Sequence, residues 1–310
     1  MSISSPTSAA TSAPLRRIAK SNAWSRRLPL LPALIVVLAV TQLPFVITLY
    51  YSVFRWNLVS TTAPRLVWLG NFVDAFFDAV FLRSIVNTGI MTGAVVFASI
   101  VVGGLLAVGL NRDFPGRSIA RTLSITPFFL MPVAAALFWK TGLYDPTFGI
   151  LGWITDAMHI GRLNWISQYP KLSIIILTTW QWSAFALIIL IAGLQSFPIE
   201  VSEAAEVDGA SQFYIFWRLV LPHMRPFIEL TALLVAMLVL ENFAAIALLT
   251  NGGPAYATTN LSYYVYIEAF SAFDLGRASA FGMITLLIAI ALVVPALRIV
   301  SSIFTEGGRA

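Results

Sequence analysis

The chain contains no cysteine and only two histidines, His159 and His223. Without a thiol there is no disulfide, no thiolate metal ligand and no Cys nucleophile, and the redox compartment leaves no mark. The two imidazoles lie far apart and lack metal-ligand spacing. Charge is scarce as well: 11% of residues are charged, against about 25% in a soluble domain. No Gly-Lys pair occurs, which excludes a Gly-rich phosphate loop ending in Gly-Lys-Ser/Thr. Nor is there a clustered Lys/Arg face interleaved with aromatics of the kind that binds nucleic acid. The net charge of +5 suits flanks that meet anionic lipid headgroups. With scattered carboxylates and isolated imidazoles, no nucleophile–base pair can be assembled, so an intramembrane enzyme is a poor fit.

What the chain has in abundance is apolar sequence. Hydrophobic residues make up 58% of its 310 positions and the mean hydropathy is +0.84. Six segments approach the roughly 20 residues needed to cross a hydrocarbon core as a helix: Leu28–Phe54, Val86–Leu110, Thr122–Thr141, Leu172–Phe197, Phe227–Thr250 and Ala278–Val300. Helices are the default because backbone polar groups in lipid must be satisfied within the segment. The predicted fold is therefore all-α, a polytopic membrane protein of six spanning helices with both termini on one side. Placing the N-terminus in the cytoplasm puts twelve Lys and Arg on that side and seven on the other, accounting for all nineteen, and that bias sets the orientation.

Residues 1–27, rich in Ser, Thr, Ala and Pro before turning basic, read as a disordered cytoplasmic tail. The apolar run that follows exceeds the 7–15 residues of a secretory h-region and lacks a convincing small-residue cleavage site, so it reads as a retained anchor. Residues 28–304 form the membrane domain and residues 305–310 a short cytoplasmic tail. The larger outer loops, about Arg55–Ile85 and Gly142–Lys171, carry Trp56, Trp68, Trp153, Trp165 and Tyr169, which suit an aromatic belt at headgroup level.

One polar, amphipathic island, residues 199–222, interrupts the apolar segments. Ala204 and Ala205 keep a short helix slim, Glu203 offers a carboxylate, and Asp208-Gly209 signals a turn because glycine tolerates positive φ. A second helix is predicted over Gln212–Leu219, returning to the membrane at Pro222. Its Phe213, Phe216, Trp217 and Val220, at spacings of three and four, place one apolar face against the bilayer or bundle. The first helix is left projecting outward.

The run Glu203-Ala204-Ala205, then Gly209, then Leu219-x-Leu221-Pro222 is similar to the Glu-Ala-Ala loop of permease subunits in binding-protein-dependent ABC importers, with Leu219 where that family usually has Ile. A second string agrees: Thr250-Asn251-Gly252-Gly253-Pro254, then Ala257-Thr258-Thr259-Asn260 and Tyr263-Tyr264-x-Tyr266 resembles the loop between the fifth and sixth helices of the larger permease in maltose-type carbohydrate importers. The resemblance implies the type I ABC importer permease fold from about Pro29 onward, in the bacterial cytoplasmic (inner) membrane. It also implies a non-catalytic subunit with no cofactor of its own, ATP and Mg being held by partner ATPase subunits. Glu203, Ala204, Ala205, Asp208, Gly209, Leu221 and Pro222 would belong to the coupling loop that seats on an ATPase. The implied partners are a second homologous permease, two ATP-binding subunits, an extracytoplasmic solute-binding protein and membrane lipid. Asn111-Arg-Asp-Phe-Pro-Gly-Arg117, Trp180-Gln-Trp182, Ala192-Gly-Leu-Gln195 and Gly253-Pro-x-x-Ala-Thr-Thr-Asn260 look most like permeases for polyols such as mannitol and sorbitol. The competing class is an ion-coupled secondary transporter, which often shows internal repeats; none is evident between the halves.

A hydroxyl-rich solute needs hydrogen-bonding groups and a flat aromatic wall in a concave site between helices. Polar side chains within spans are costly in lipid and usually face the bundle interior, which singles out Thr178 to Ser183 on the fourth segment and Glu241-Asn242 on the fifth. By resemblance, Thr179, Gln181, Trp182, Leu238 and Asn242 fall where maltose-type permeases line their midmembrane sugar site, and only Asn242 keeps the residue type. Glu241 joins them as a carboxylate that either accepts from solute hydroxyls or pairs with another helix. For Gln181 and Trp182 the alternative is interhelical packing. Gly89 and Gly93, four apart, are expected to permit close helix packing. Pro127 and Pro132 are expected as kinks within the third helix, either static or hinged.

Overall fold

A computed structural model describes residues 30–159 and 161–306, with side chains through residue 295. The expectations for the residue 1–27 tail and for the chain beyond Glu306 fall outside these residues. Two units are distinguished, residues 1–47 and 48–310.

Helix α1, Leu31–Ser52, begins in the first unit and is apolar on every side: Leu34, Ile35, Val36, Leu38 and Val40 all expose their side chains. A helix of that kind is a membrane span.

In the second unit, a two-residue antiparallel pair, β1 (Phe54–Arg55) with β2 (Arg65–Leu66), follows, in the register Phe54 to Leu66. It is a small departure from an all-helical fold. After the short helix α2, Gly70–Phe77, Asp78 accepts from the amides of Val80 and Phe81 at 2.9 and 2.8 Å. That cap starts α3, Ala79–Leu110. At 32 residues it is about 48 Å long and outruns the bilayer core, starting seven residues before the predicted boundary.

The third segment is not one kinked helix. Helix α4, Arg117–Phe129, and helix α5, Pro132–Phe138, prolonged by a π turn Trp139–Leu143, meet at 104°. Leu130 and Met131 are both extended, with ψ of 132° and 134°. The residue before a proline is driven out of the helical region, and Pro132 then opens α5 where its missing N–H costs nothing. Ala120 and Ile125 of α4 pack at the Leu187/Leu190 end of the bundle, whereas Ala136 and Trp139 pack at the Ile174/Leu177 end. These positions on one helix are about 20 Å apart, so the bent pair crosses as a broken span and the total of six stands.

Two short helices, α6 (Ile150–Ala157) and α7 (Trp165–Gln168), lead to α8, Pro170–Gln195, the central helix. It packs closely on α3: a Cβ on Gly103 would lie 2.7 Å from Ala186 Cβ and 2.9 Å from the Ser183 carbonyl. The close-packing role expected of Gly89 and Gly93 is not played within this chain, where a Cβ on either would meet nothing within 4 Å.

Helix α9, Ile199–Val207, then α10, Gln212–Ile215, with a π turn Phe216–Val220, run into α11, Leu221–Leu240. Pro222 thus lies inside a helix continuous from Gln212 to Leu240, directly after its π turn, and not at the end of a separate one. The fifth segment departs again at its far end. Helix α11 stops at Leu240, the backbone leaves helical form over residues 241–243, and a π turn Ile246–Thr250 completes the crossing. Helix α12, Leu261–Tyr266, its π turn Ile267–Ser271 and the long α13, Leu275–Glu306, close the fold.

Candidate functional sites at the helix break and the exposed loop

The break in α11 is held open by side chains from the following loop. Ser262 donates its hydroxyl to the Leu240 carbonyl at 3.2 Å, and Asn260 donates its amide to the Asn242 carbonyl at 2.8 Å. Asn242 in turn donates from Nδ2 to Thr178 Oγ1 on α8 at 3.1 Å. Every carbonyl freed by a broken helix in lipid needs such a partner; Ser262 and Asn260 supply two of them, while the Asn242–Thr178 bond ties the break to α8.

The loop that delivers Asn260 is itself tightly built. Asn87 of α3 donates to the carbonyls of Tyr256 and Thr259 at 3.1 and 2.9 Å, and the Leu261 amide donates to Thr88 Oγ1 at 3.0 Å. Thr250 and Thr258 share a hydroxyl contact of 2.8 Å. Gly252, at φ +74°, lies where a Cβ would come within 2.5 Å of Thr259 Oγ1 and 2.7 Å of the Tyr263 ring. Asn87 and Thr88 were not singled out from the sequence, although polar residues inside an apolar span were a legible signal.

The predicted path residues separate into groups. Thr178 and Asn242 line a tight space of about 10 Å³ together with Thr88 and Asn260, room for one water at most. Thr179 faces a different groove, of about 590 Å³, with Trp139, Trp180 and Pro127, and its hydroxyl has no partner. Gln181 is buried and donates to the Leu130 carbonyl at 2.9 Å, satisfying the bend between α4 and α5. Its packing alternative therefore has a named partner. Trp182 packs on Phe128 and Phe185 at 6.2 Å between ring centroids. Leu238 is exposed. Glu241 is exposed and forms no ion pair or hydrogen bond with another described residue.

At the opposite end, α9 buries none of its residues. Its last turn is closed by amide donations from Asp208 to the Ala204 carbonyl and from Ala210 to the Ala205 carbonyl, at 3.0 and 2.9 Å. Gly209 sits at φ +83° with nothing within 4 Å of where a Cβ would project. Ser211 caps α10 by accepting from the Tyr214 amide at 3.2 Å. The helix, turn and helix anticipated around Asp208-Gly209 are present. On this surface Val207 is 89% exposed and Phe213 74% exposed, while Leu221 and Pro222 lie at the start of α11.

On the face carrying the 250–262 loop, Asp78 accepts from the Tyr264 hydroxyl at 3.0 Å and from Arg277, which also lies 3.5 Å from Glu268. Burial raises the pKa of Glu268, and the Arg277 guanidinium opposes it.

The family described as "Binding-protein-dependent transport system inner membrane component" matches residues 79–305, from the first residue of α3 nearly to the end of α13. The chain belongs to this family. It is an ABC importer permease subunit, a non-catalytic inner-membrane component, and the ion-driven alternative is set aside. A probable ABC transporter permease of Sinorhizobium fredii is 34% identical over 267 residues, covering 86% of each chain. The sn-glycerol-3-phosphate transport system permease protein UgpA of Yersinia pestis is 31% identical over 287 residues, covering 90% of this permease and 95% of its own length. Among solved structures, a bacterial ABC transporter involved in the import of the acidic polysaccharide alginate superposes with a TM-score of 0.75 at 23% identity, over 90% of this permease and 96% of that chain. The fold is that of a type I importer permease.

Proposed function

We propose that this permease translocates a carbohydrate or polyol delivered by an extracytoplasmic binding protein, together with a second homologous permease and two ATP-binding subunits. The observation that carries the coupling half of this reading is α9 with its turn: a helix none of whose residues is buried, followed by a glycine turn with open space where a Cβ would project. Glu203, Ala204, Ala205, Asp208 and Gly209 form the seat for an ATPase subunit, with Leu221 and Pro222 carrying its movement into α11. Glu203 is placed to accept a charge-assisted hydrogen bond from that partner. ATP-driven closure works through differential contact of this seat in two states. The N-terminus lies in the cytoplasm, on the same side as the seat.

The solute half is supported by an unpaired carboxylate and an amide at a helix break within the membrane, and by the outer-loop string shared with carbohydrate permeases. Thr179, Gln181, Trp182, Leu238, Glu241 and Asn242 belong to the path, Gln181 acting through the α4–α5 bend. That the Yersinia pestis relative serves a phosphorylated polyol, sn-glycerol 3-phosphate, supports the polyol side of the reading. Purification of the tagged permease from native membranes in gentle detergent, with quantitative mass spectrometry of what accompanies it, tests the assembly. Two ATP-binding subunits and one second permease per copy are expected; a homo-oligomer with intact uptake would overturn the coupling reading.

A further inference from the structure

A file of rings leads away from the break in α11. Phe243, the last residue of the break, lies 5.0 Å from Tyr266, centroid to centroid, and Tyr266 lies 5.1 Å from Phe270. Tyr263 forms the root, 5.7 Å from Phe243 and stacked 5.9 Å from Tyr266. Spacings of three and four put residues 263, 266 and 270 on one side of α12 and its π turn. Exposure climbs along the file, from 8% at Tyr263 through 36% at Phe243 and 39% at Tyr266 to 66% at Phe270.

Three observations separate this file from a row of lipid-facing aromatics. Its inner end is two residues from Glu241, an exposed carboxylate without a partner among the described residues, and a carboxylate does not face hydrocarbon. The Tyr266 hydroxyl makes no hydrogen bond with any described residue. The file is also held rigid: Asn260 caps α12 through the Tyr263 amide at 2.9 Å with one end of its side chain and holds the Asn242 carbonyl with the other.

We infer that Phe270, Tyr266 and Phe243 are a stacking rail for a hydroxyl-rich solute, handing it ring by ring to Glu241 and Asn242 at the break. An aromatic face is electronegative and attracts the C–H face of a sugar or polyol, leaving the hydroxyls free for polar groups. Steps of 5.0 and 5.1 Å let such a molecule touch the next ring before it leaves the last. Several weak sites in series favour passage over trapping. The inference rests on the carbohydrate-or-polyol reading above.

The test uses the whole importer with its own binding protein in proteoliposomes, and radiolabelled D-mannitol, D-sorbitol, maltose and sn-glycerol 3-phosphate as probes. Y266L and F270L remove a ring and keep apolar volume; Y266F and F270Y keep the ring. For a probe the wild type carries, each Leu variant is expected to raise KM or lower the maximal rate by about three- to tenfold, the effect of one aromatic contact, while Y266F and F270Y retain transport. Wild-type kinetics in both Leu variants would overturn the rail. Equal losses in Leu and ring-preserving variants, or release of the second permease from the Leu variants on purification, would overturn it in favour of a packing surface. A wild-type complex that carries none of the four probes would overturn the solute reading and the rail together, with the ATPase assembly left standing.

Discussion

Asn260 joins two elements with one side chain: its Nδ2 donates to the Asn242 carbonyl at 2.8 Å, and its Oδ1 accepts from the Tyr263 amide at 2.9 Å. The residue is buried; its bond to the Tyr263 amide is buried and the one to the Asn242 carbonyl part-buried. Asn260→Leu, of similar volume, leaves the amide unpaired at about 1–3 kcal/mol and removes the tie to the carbonyl. We expect a lower unfolding midpoint in detergent and loss of uptake. Asn260→Asp keeps the cap but lacks the donor, and should fall between the two. A Leu variant as stable as the wild type would mean that the break holds without this tie.

Gly209 and Gly252 share positive φ and should fail in opposite ways. At Gly252 an added Cβ strikes Thr259 and the Tyr263 ring, so Gly252→Ala should lower membrane abundance by disrupting the loop that holds the break. At Gly209 the space is open, and the intrinsic cost of a left-handed non-glycine residue is about 1–2 kcal/mol. Gly209→Asp should therefore reach the membrane at near-normal levels and yet lose uptake, because the added group meets a partner outside the chain. Full uptake by that variant would count against the turn as the ATPase seat. Quantitative immunoblotting of membranes alongside transport separates the two outcomes.

The sequence made these local features legible and hid the long-range ones. Asp208-Gly209 announced a turn through its own backbone chemistry, and the structure has Gly209 at φ +83°. The third segment's bend had a local cause as well, since Met131 precedes Pro132, but a kink and a 104° turn share the same proline signal. The break at residues 241–243 left no comparable mark. Phe227 to Thr250 is apolar enough to span whether or not the helix is whole, and what opens it is hydrogen bonding from Asn260 and Ser262, some twenty residues on. Gln181 was placed correctly inside the bundle, while its partner, the Leu130 carbonyl, becomes available only once the α4–α5 bend exists. Continuity through Pro222 was missed because a proline ordinarily interrupts a helix, whereas here the helix runs on through the π turn that precedes it.

Glu241 is exposed, unpaired among the described residues and beside Asn242 at the break. Glu241→Gln removes the charge and keeps the shape, and with no partner to lose among the described residues, its effect on abundance should be small. A direct role in receiving solute hydroxyls predicts reduced uptake by roughly tenfold, the scale of one charged hydrogen bond of about 1.5 kcal/mol. Normal uptake at unchanged abundance would remove Glu241 from the path.

Glu268 gives the outer loop a pH dependence whose sign can be stated. Burial raises its pKa above the ordinary carboxylate value, with the charges of Asp78 and Asp274 adding to the rise and Arg277, 3.5 Å away, opposing it. A pKa raised on folding contributes stability that is complete below the unfolded value, about 4.3 for Glu, and is lost as pH rises through the higher folded value. The unfolding midpoint of the wild type should carry a component that falls across that window toward neutrality. Glu268→Gln does not titrate and retains an oxygen facing Arg277, which keeps its contact with Asp78. Its midpoint, followed from about pH 4 to pH 8 around that reference value, should therefore change less steeply than the wild type's. Parallel profiles for the two proteins would assign the titration to another group.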